Sequence, residues 1–268
     1  MEEVVDKNEQ YTDRYIAFLD LLGFKNTLNN KTCSQILSIF SKIKIPLEGV
    51  YIGTGTGWEP IIDNASIKKV NLKIMSDSIC FYVDAIEPNA FVALISVCLL
   101  FQVMMAELAD PVILRGGIVR GDLYAEGDTT FGPGLTAAYL LEEKSAKFPR
   151  IIMTGDLLEK AWEETEEKCK RIIKDQIYRD DDGFYIINYL GMLPYGTKGR
   201  LPAQAFYNHV IKMLNHEIDA SIREKYLYLE KRIKIVLEKN MQELIRYGVS
   251  QALSDLEKNT EDNKNCKD

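Results

Sequence analysis

RYIAFLDLLGF, residues 14–24, is the stretch on which the fold turns. Tyr15 to Leu19 is an unbroken apolar run, and it stops at Gly23. A run of this length that closes on a glycine predicts a central strand followed by a turn. Asp20 stands between that run and Leu21-Leu22, inside the expected strand. An isolated carboxylate in an apolar strand is costly unless it is paired or holds a metal ion.

Outward from this strand, helical spacing of Ile36, Leu37, Ile39, Phe40 and Ile43 predicts a helix over 31–43. Residues 51–67 are rich in Gly, Pro and Asn and read as a loop or hairpin. Residues 69–84 read as two strands separated by Ser76-Asp77-Ser78. A core helix is expected from Asn89 to Ala109. VILRGGIVRGDLYAEG (112–127) reads as strands with close backbone approach. Residues 133–147 read as a helix with Pro133 near its first position. RIIMTG (150–155) reads as a strand, 156–173 as a single helix and 182–190 as a late strand. This alternation predicts an α/β fold built on one sheet flanked by helices. The expected division is a catalytic domain over 1–192, a helical extension over 193–258 and a disordered tail over 259–268. Within the extension, Leu214, Ile218, Ile222, Leu229, Ile233 and Leu237 recur at helical spacing, so an apolar stripe must be covered.

The composition excludes several classes of protein. The chain has 268 residues, 46% of them hydrophobic and 27% charged, with a net charge of -7 and a pI near 5.1. An acidic surface disfavours nucleic acid and anionic membrane as partners. AFVALISVCLLF (90–101) is too short to span a bilayer and reads as a buried helix. The N-terminus is acidic and polar, unlike a signal peptide. Five widely spaced cysteines, with no CxxC pair, fit a reducing compartment, so a cytoplasmic location is expected. The two histidines, His209 and His216, lie on a helical pattern with no metal-ligand spacing around them.

Asp77 stands at the polar break of KIMSDSICFY, 57 residues after Asp20. If their strands are neighbours, the two carboxylates meet. A pair of oxygen ligands suits Mg2+ or Mn2+, which leave coordination positions to water and phosphate. The other reading of each residue is a turn aspartate.

Five segments then fall in one order: FLDLLGF, LKIMSDS, ILRGGIVRGDLY, FGPGLTAAYLLEEKSA and PRIIMTG. This order resembles the class III nucleotide cyclase domain over roughly 14–157. The SDS and LRGG forms, with the GPGL...AYLLE helix, look most like the bacterial antiphage pyrimidine (Pycsar) cyclases. The resemblance implies a ferredoxin-like catalytic domain with a mostly antiparallel sheet. It implies conversion of a nucleoside triphosphate, UTP or CTP in the narrower subfamily, to its 3',5'-cyclic monophosphate and pyrophosphate. The alternatives are an adenylate or guanylate cyclase of general signalling, and an inactive cyclase-like nucleotide binder. It also implies two divalent ions, Mg2+ or Mn2+, held by Asp20, Asp77 and the carbonyl of Leu21. The implied assembly is a homodimer with its sites between subunits.

Carried over by position, Gly23 and Phe24 form the phosphate turn, and a helix opening on a glycine offers free N–H groups to an anion. Lys25 adds charge there. Lys73 and Thr129 match the base-reading pair. Arg115 and Arg120, on opposite strand faces, are candidates for phosphate contact and catalysis. The family's Asn and Arg on the following helix are replaced by Thr136 and Leu140, so Lys144, one turn on, is the candidate substitute cation. Lys198 or Arg200 is the candidate for the family's late lysine.

Overall fold

The computed structural model describes residues 10–43, 51–54, 57–60, 64–192, 202–216, 218–236 and 238. In chain order the elements are β1 (Thr12–Leu22), α1 (Phe24–Asn30), α2 (Cys33–Ile43), β2 (Tyr51–Thr54), β3 (Gly57–Pro60) and α3 (Asn64–Ile67). There follow β4 (Asn71–Met75), β5 (Ser78–Asp84), α4 (Ala90–Ala106), β6 (Ile113–Glu126), β7 (Thr129–Phe131), α5 (Pro133–Ser145) and β8 (Ile151–Met153). The last are α6 (Gly155–Glu164), α7 (Glu167–Gln176), β9 (Ile177–Arg179), β10 (Tyr185–Ile187), α8 (Tyr189–Met192), α9 (Pro202–Leu214) and a helix over 220–236, here α10.

The expected α/β fold is present. Among the described residues an eight-stranded sheet runs in the order β4-β5-β1-β6-β8-β10-β9, with β7 paired to β6. Its pairings are antiparallel except for β6 with β8. β1 is buried from Tyr15 to Leu19 because helices cover both faces of the sheet. On one face α4 is apolar all round and almost wholly buried, so residues 90–101 form the centre of the core. No helix among the described residues is long and apolar enough to cross a membrane. On the other face α5 lies over Ile16, Phe18, Cys80 and Tyr82. Gly117 permits that approach, since a Cβ there would stand 3.0 Å from the Ala138 carbonyl oxygen in α5. Burial pushes the Cys80 thiol up to about 12, so it packs as an inert small hydrophobe.

Several boundaries differ from the sequence reading. α2 corresponds to the helix expected over 31–43, and α1, which precedes it, is additional to the sequence reading. The segment 156–173 is two helices. Thr165 turns its hydroxyl back to the Ala161 carbonyl at 2.6 Å, and Glu166 starts the second helix. β6 is one 14-residue strand. The short strands β7 and β9 are additional to the sequence reading. The extension is interrupted between α9 and α10. Phe206, Val210, Leu214, Leu229 and Ile233 join the same core as α4, whereas Ile222 is exposed. Leu237 lies outside the described residues.

Candidate active site

Asp20 is a half-buried residue near the end of β1, between the core residues Leu19 and Leu21. Its strand neighbours are Ser78 of β5 and Arg115 of β6. Asp77 occupies the β4–β5 turn, and its carbonyl accepts from the Leu21 N–H at 3.0 Å. Ser76, with φ 60, makes that turn tight. Adjacent strands thus bring both aspartates to one end of the sheet, and both are partly open to solvent. Gly23 takes φ 76, a conformation that favours glycine, and directs the chain into α1 at Phe24. Phe24 is buried against Phe40. Lys25 falls in α1 with its side chain outside the described residues.

Asp20 does not stand alone. Arg115 donates from Nε to Asp20 Oδ2 at 3.0 Å, and the same Nε lies 2.7 Å from Glu142 Oε1. Glu142 projects from α5 and is 3% exposed. Sequence reasoning missed it, although a signal was present. Ala138, Glu142 and Ala146 repeat every fourth residue on the buried face of α5, so an acid there needs a partner.

Desolvation raises the Glu142 carboxyl to about 7 from an ordinary 4.5, with Arg115 opposing the rise and Asp20 adding to it. The folded state therefore holds this proton more tightly than the unfolded chain. The resulting stability is complete below about pH 4.5 and is lost as pH rises through about 7. Urea unfolding of wild type and Glu142→Gln should show it. The stability of wild type relative to the variant is expected to fall by about 2 kcal/mol between pH 4.5 and 8. Parallel stabilities at the two pH values would refute the assignment.

Lys73 on β4 donates to the Gly127 carbonyl in the β6–β7 turn, two residues before Thr129. The two candidate base-reading residues therefore share one hairpin corner, at the β4 margin of the sheet. Arg120 lies on the α4 face of β6, bound to Asp13, Tyr15 and Glu164, on the opposite side of the sheet from Asp20. The strand's two-residue repeat enforces this separation from Arg115. Lys144 is exposed, and two residues along a helix put it on the far side of α5 from Glu142. Neither cation is brought to Asp20. Thr136 is exposed and bonds the Gly132 carbonyl at 3.3 Å, and Leu140 is half-buried. Lys198 and Arg200 lie outside the described residues.

A cavity of about 300 Å³ opens beside the turn after Asp20, lined by Leu22, Gly23 and Lys31, with Lys225 and Tyr226 entering from α10. The carboxylates and a backbone carbonyl at this end of the sheet are oxygen donors only. Among the described residues no group of three or more His, Cys, Asp or Glu side chains is arranged to hold a metal ion. Oxygen donors of this type are those Mg2+ and Mn2+ accept, with further positions going to water and phosphate.

Similarity searches return nucleotide cyclases among solved structures. The catalytic core of a rhodopsin-guanylyl cyclase with converted specificity, in complex with ATPalphaS, shares 14% identity. That match covers 67% of this chain and 96% of that one at a TM-score of 0.44. The adenylyl cyclase CyaB from P. aeruginosa shares 15% identity, covering 66% and 94% at a TM-score of 0.42. A bacterial light-regulated adenylyl cyclase shares 12%, covering 76% and 100% at a TM-score of 0.36. No family model matches the sequence, and no curated protein matches it.

Proposed function

We propose that the chain is a nucleotide cyclase that converts a pyrimidine nucleoside triphosphate, UTP or CTP, to the 3',5'-cyclic monophosphate as a messenger in antiphage defence. The observation that carries the cyclase reading is the meeting of Asp20 and the Asp77 turn at the end of adjacent strands. The order of the five sequence segments and the SDS and LRGG forms support the pyrimidine and defence assignments.

In this reading the ribose 3'-oxygen attacks the α-phosphorus, the bond to the β-phosphate oxygen breaks, pyrophosphate leaves, and the 3'-hydroxyl proton passes to solvent. Asp20, Asp77 and the Leu21 carbonyl would hold two divalent ions, Mg2+ or Mn2+. When bound, these ions make the attacking oxygen more acidic and neutralise the leaving group. The Gly23–Phe24 turn directs N–H groups at the outer phosphates, Lys25 adds charge there, and Arg115 is the cation beside Asp20. Lys73 and Thr129 would bond the base edge from the second subunit of a homodimer. Most of the rate enhancement would come from positioning and charge.

Incubation of the protein with each of the four nucleoside triphosphates and Mn2+ tests the reading. A cyclic product and pyrophosphate from UTP or CTP are expected. A purine product would move the assignment to general signalling, and no product from any of the four would favour the inactive cyclase-like binder.

The shared site makes a further prediction. Asp20→Ala and Lys73→Ala should each be inactive, yet their mixture should recover up to about a quarter of wild-type activity. Under random pairing half of the dimers are mixed, and each mixed dimer holds one intact site of two. A mixture that exchanges subunits and stays inactive refutes the two-chain site.

A further inference from the structure

The Nε of Arg115 carries one hydrogen, and two carboxylates compete for it. Asp20 Oδ2 lies 3.0 Å away and Glu142 Oε1 lies 2.7 Å away. The hydrogen is directed at Asp20. Glu142 Oε1 is shielded from solvent and has no hydrogen bond, a costly condition for a buried acceptor. Meanwhile the guanidinium occupies one lone pair of Asp20 Oδ2, and a divalent ion at the same carboxylate would compete with it for that charge.

We infer that Glu142 is a positioning residue that takes Arg115 over from Asp20 when a divalent cation binds there. This rests on the metal-binding reading of Asp20 given above. Without a second anion, freeing Asp20 would leave a guanidinium only 24% exposed with no carboxylate partner. With Glu142 in reach, one charge-assisted hydrogen bond is exchanged for another, and the previously unbonded Oε1 gains its donor. The exchange requires only a small swing of the Nε–H, because both acceptors already lie within hydrogen-bond distance. The family-like helix that replaces Asn and Arg by Thr136 and Leu140 thus still bears a residue directed at the reaction centre, through Arg115.

The test uses the full chain, alone and with a 3'-deoxynucleoside triphosphate that cannot cyclise. Mn2+ affinity is read from the free-ion resonance, and the Arg115 Nε–H signal is followed by NMR during Mg2+ addition. The Arg115 signal should move on Mg2+ addition in wild type and stay unmoved in Glu142→Gln, whose Mn2+ affinity should fall about tenfold. In an Arg115→Gln background, Glu142→Gln should change Mn2+ affinity less than about twofold. A tenfold loss that persists without Arg115 would make Glu142 a plain neighbouring charge and overturn the handover. Unaltered Mn2+ binding in Glu142→Gln would overturn it while leaving the metal reading intact. No Mn2+ binding by the wild type would remove the metal reading and the handover together. Should Glu142→Gln fail to fold, Glu142→Asp keeps the charge but shortens the reach, and it should show a smaller loss with the Arg115 signal still moving. An affinity equal to wild type in that variant overturns the handover.

Discussion

Asp20→Ala is expected to bring cyclic nucleotide formation below about a tenth of wild type while the protein stays folded. The Asp20 side chain is partly open to solvent and lies outside the apolar core, so its loss opens no cavity there. Its removal also frees Arg115 to bond Glu142 alone and relieves the repulsion that Asp20 exerts on Glu142. Stability should therefore change little. Asp77→Ala should behave alike, because the hydrogen bond from Leu21 is to the Asp77 backbone and survives the substitution. Activity assays paired with thermal unfolding separate the two effects. A variant with more than about a tenth of wild-type activity would exclude its aspartate as a required ligand.

Asp180→Asn is expected to destabilise the protein by about 3 kcal/mol, the largest stability effect anticipated outside the apolar core. Asp180 follows β9, and its side chain is 1% exposed. It pairs with Arg150, itself 3% exposed, and with Arg232 of α10. The Tyr228 hydroxyl donates to it at 2.8 Å, and Tyr228 stacks on Phe148 with ring centroids 4.6 Å apart. Neutralising the shared anion leaves two nearly buried guanidiniums with only the peripheral carboxylates Asp181 and Asp182. Such an uncompensated charge costs more than the intact cluster contributes. Urea unfolding measures the loss. Limited proteolysis should release α10 quickly from the variant and slowly from wild type. Equal stability and equal proteolysis would show that the cluster does not hold the extension.

The sequence carries the central features and loses others for identifiable reasons. The apolar run around Tyr15–Leu19 announces a strand covered on both faces, and Asp20 stands out against it. The all-apolar run from Ala90 is legible as a buried helix because its length rules out a membrane span. The three-residue strands β7 and β9 are not legible, since pairing with β6 and β10 rather than local propensity makes them strands. Thr165 breaks a helix whose periodicity continues on both sides of it, through a side-chain bond that spacing does not reveal. Arg115 and Arg120 are alike in sequence. Only the register with Asp20 and Tyr15 decides which of them meets Asp20. Glu142 was legible in principle from the Ala138–Ala146 repeat, but its partner comes from a strand 27 residues earlier.

The two margins of the sheet differ in their protection. At β9 the last described helix covers the strand, with Arg232 over the Tyr178 ring. At β4, among the described residues, no further strand pairs, and Ile74 and Met75 are 40% and 39% exposed. An uncovered apolar strand is a template on which another chain can add. Lys73 lies beside these residues, and a lysine on an edge strand discourages such addition. The residue proposed to read the base is therefore also expected to limit aggregation. Lys73→Ala should raise light scattering on standing even where its fold is unchanged, and preparations of that variant call for low concentration and brief storage.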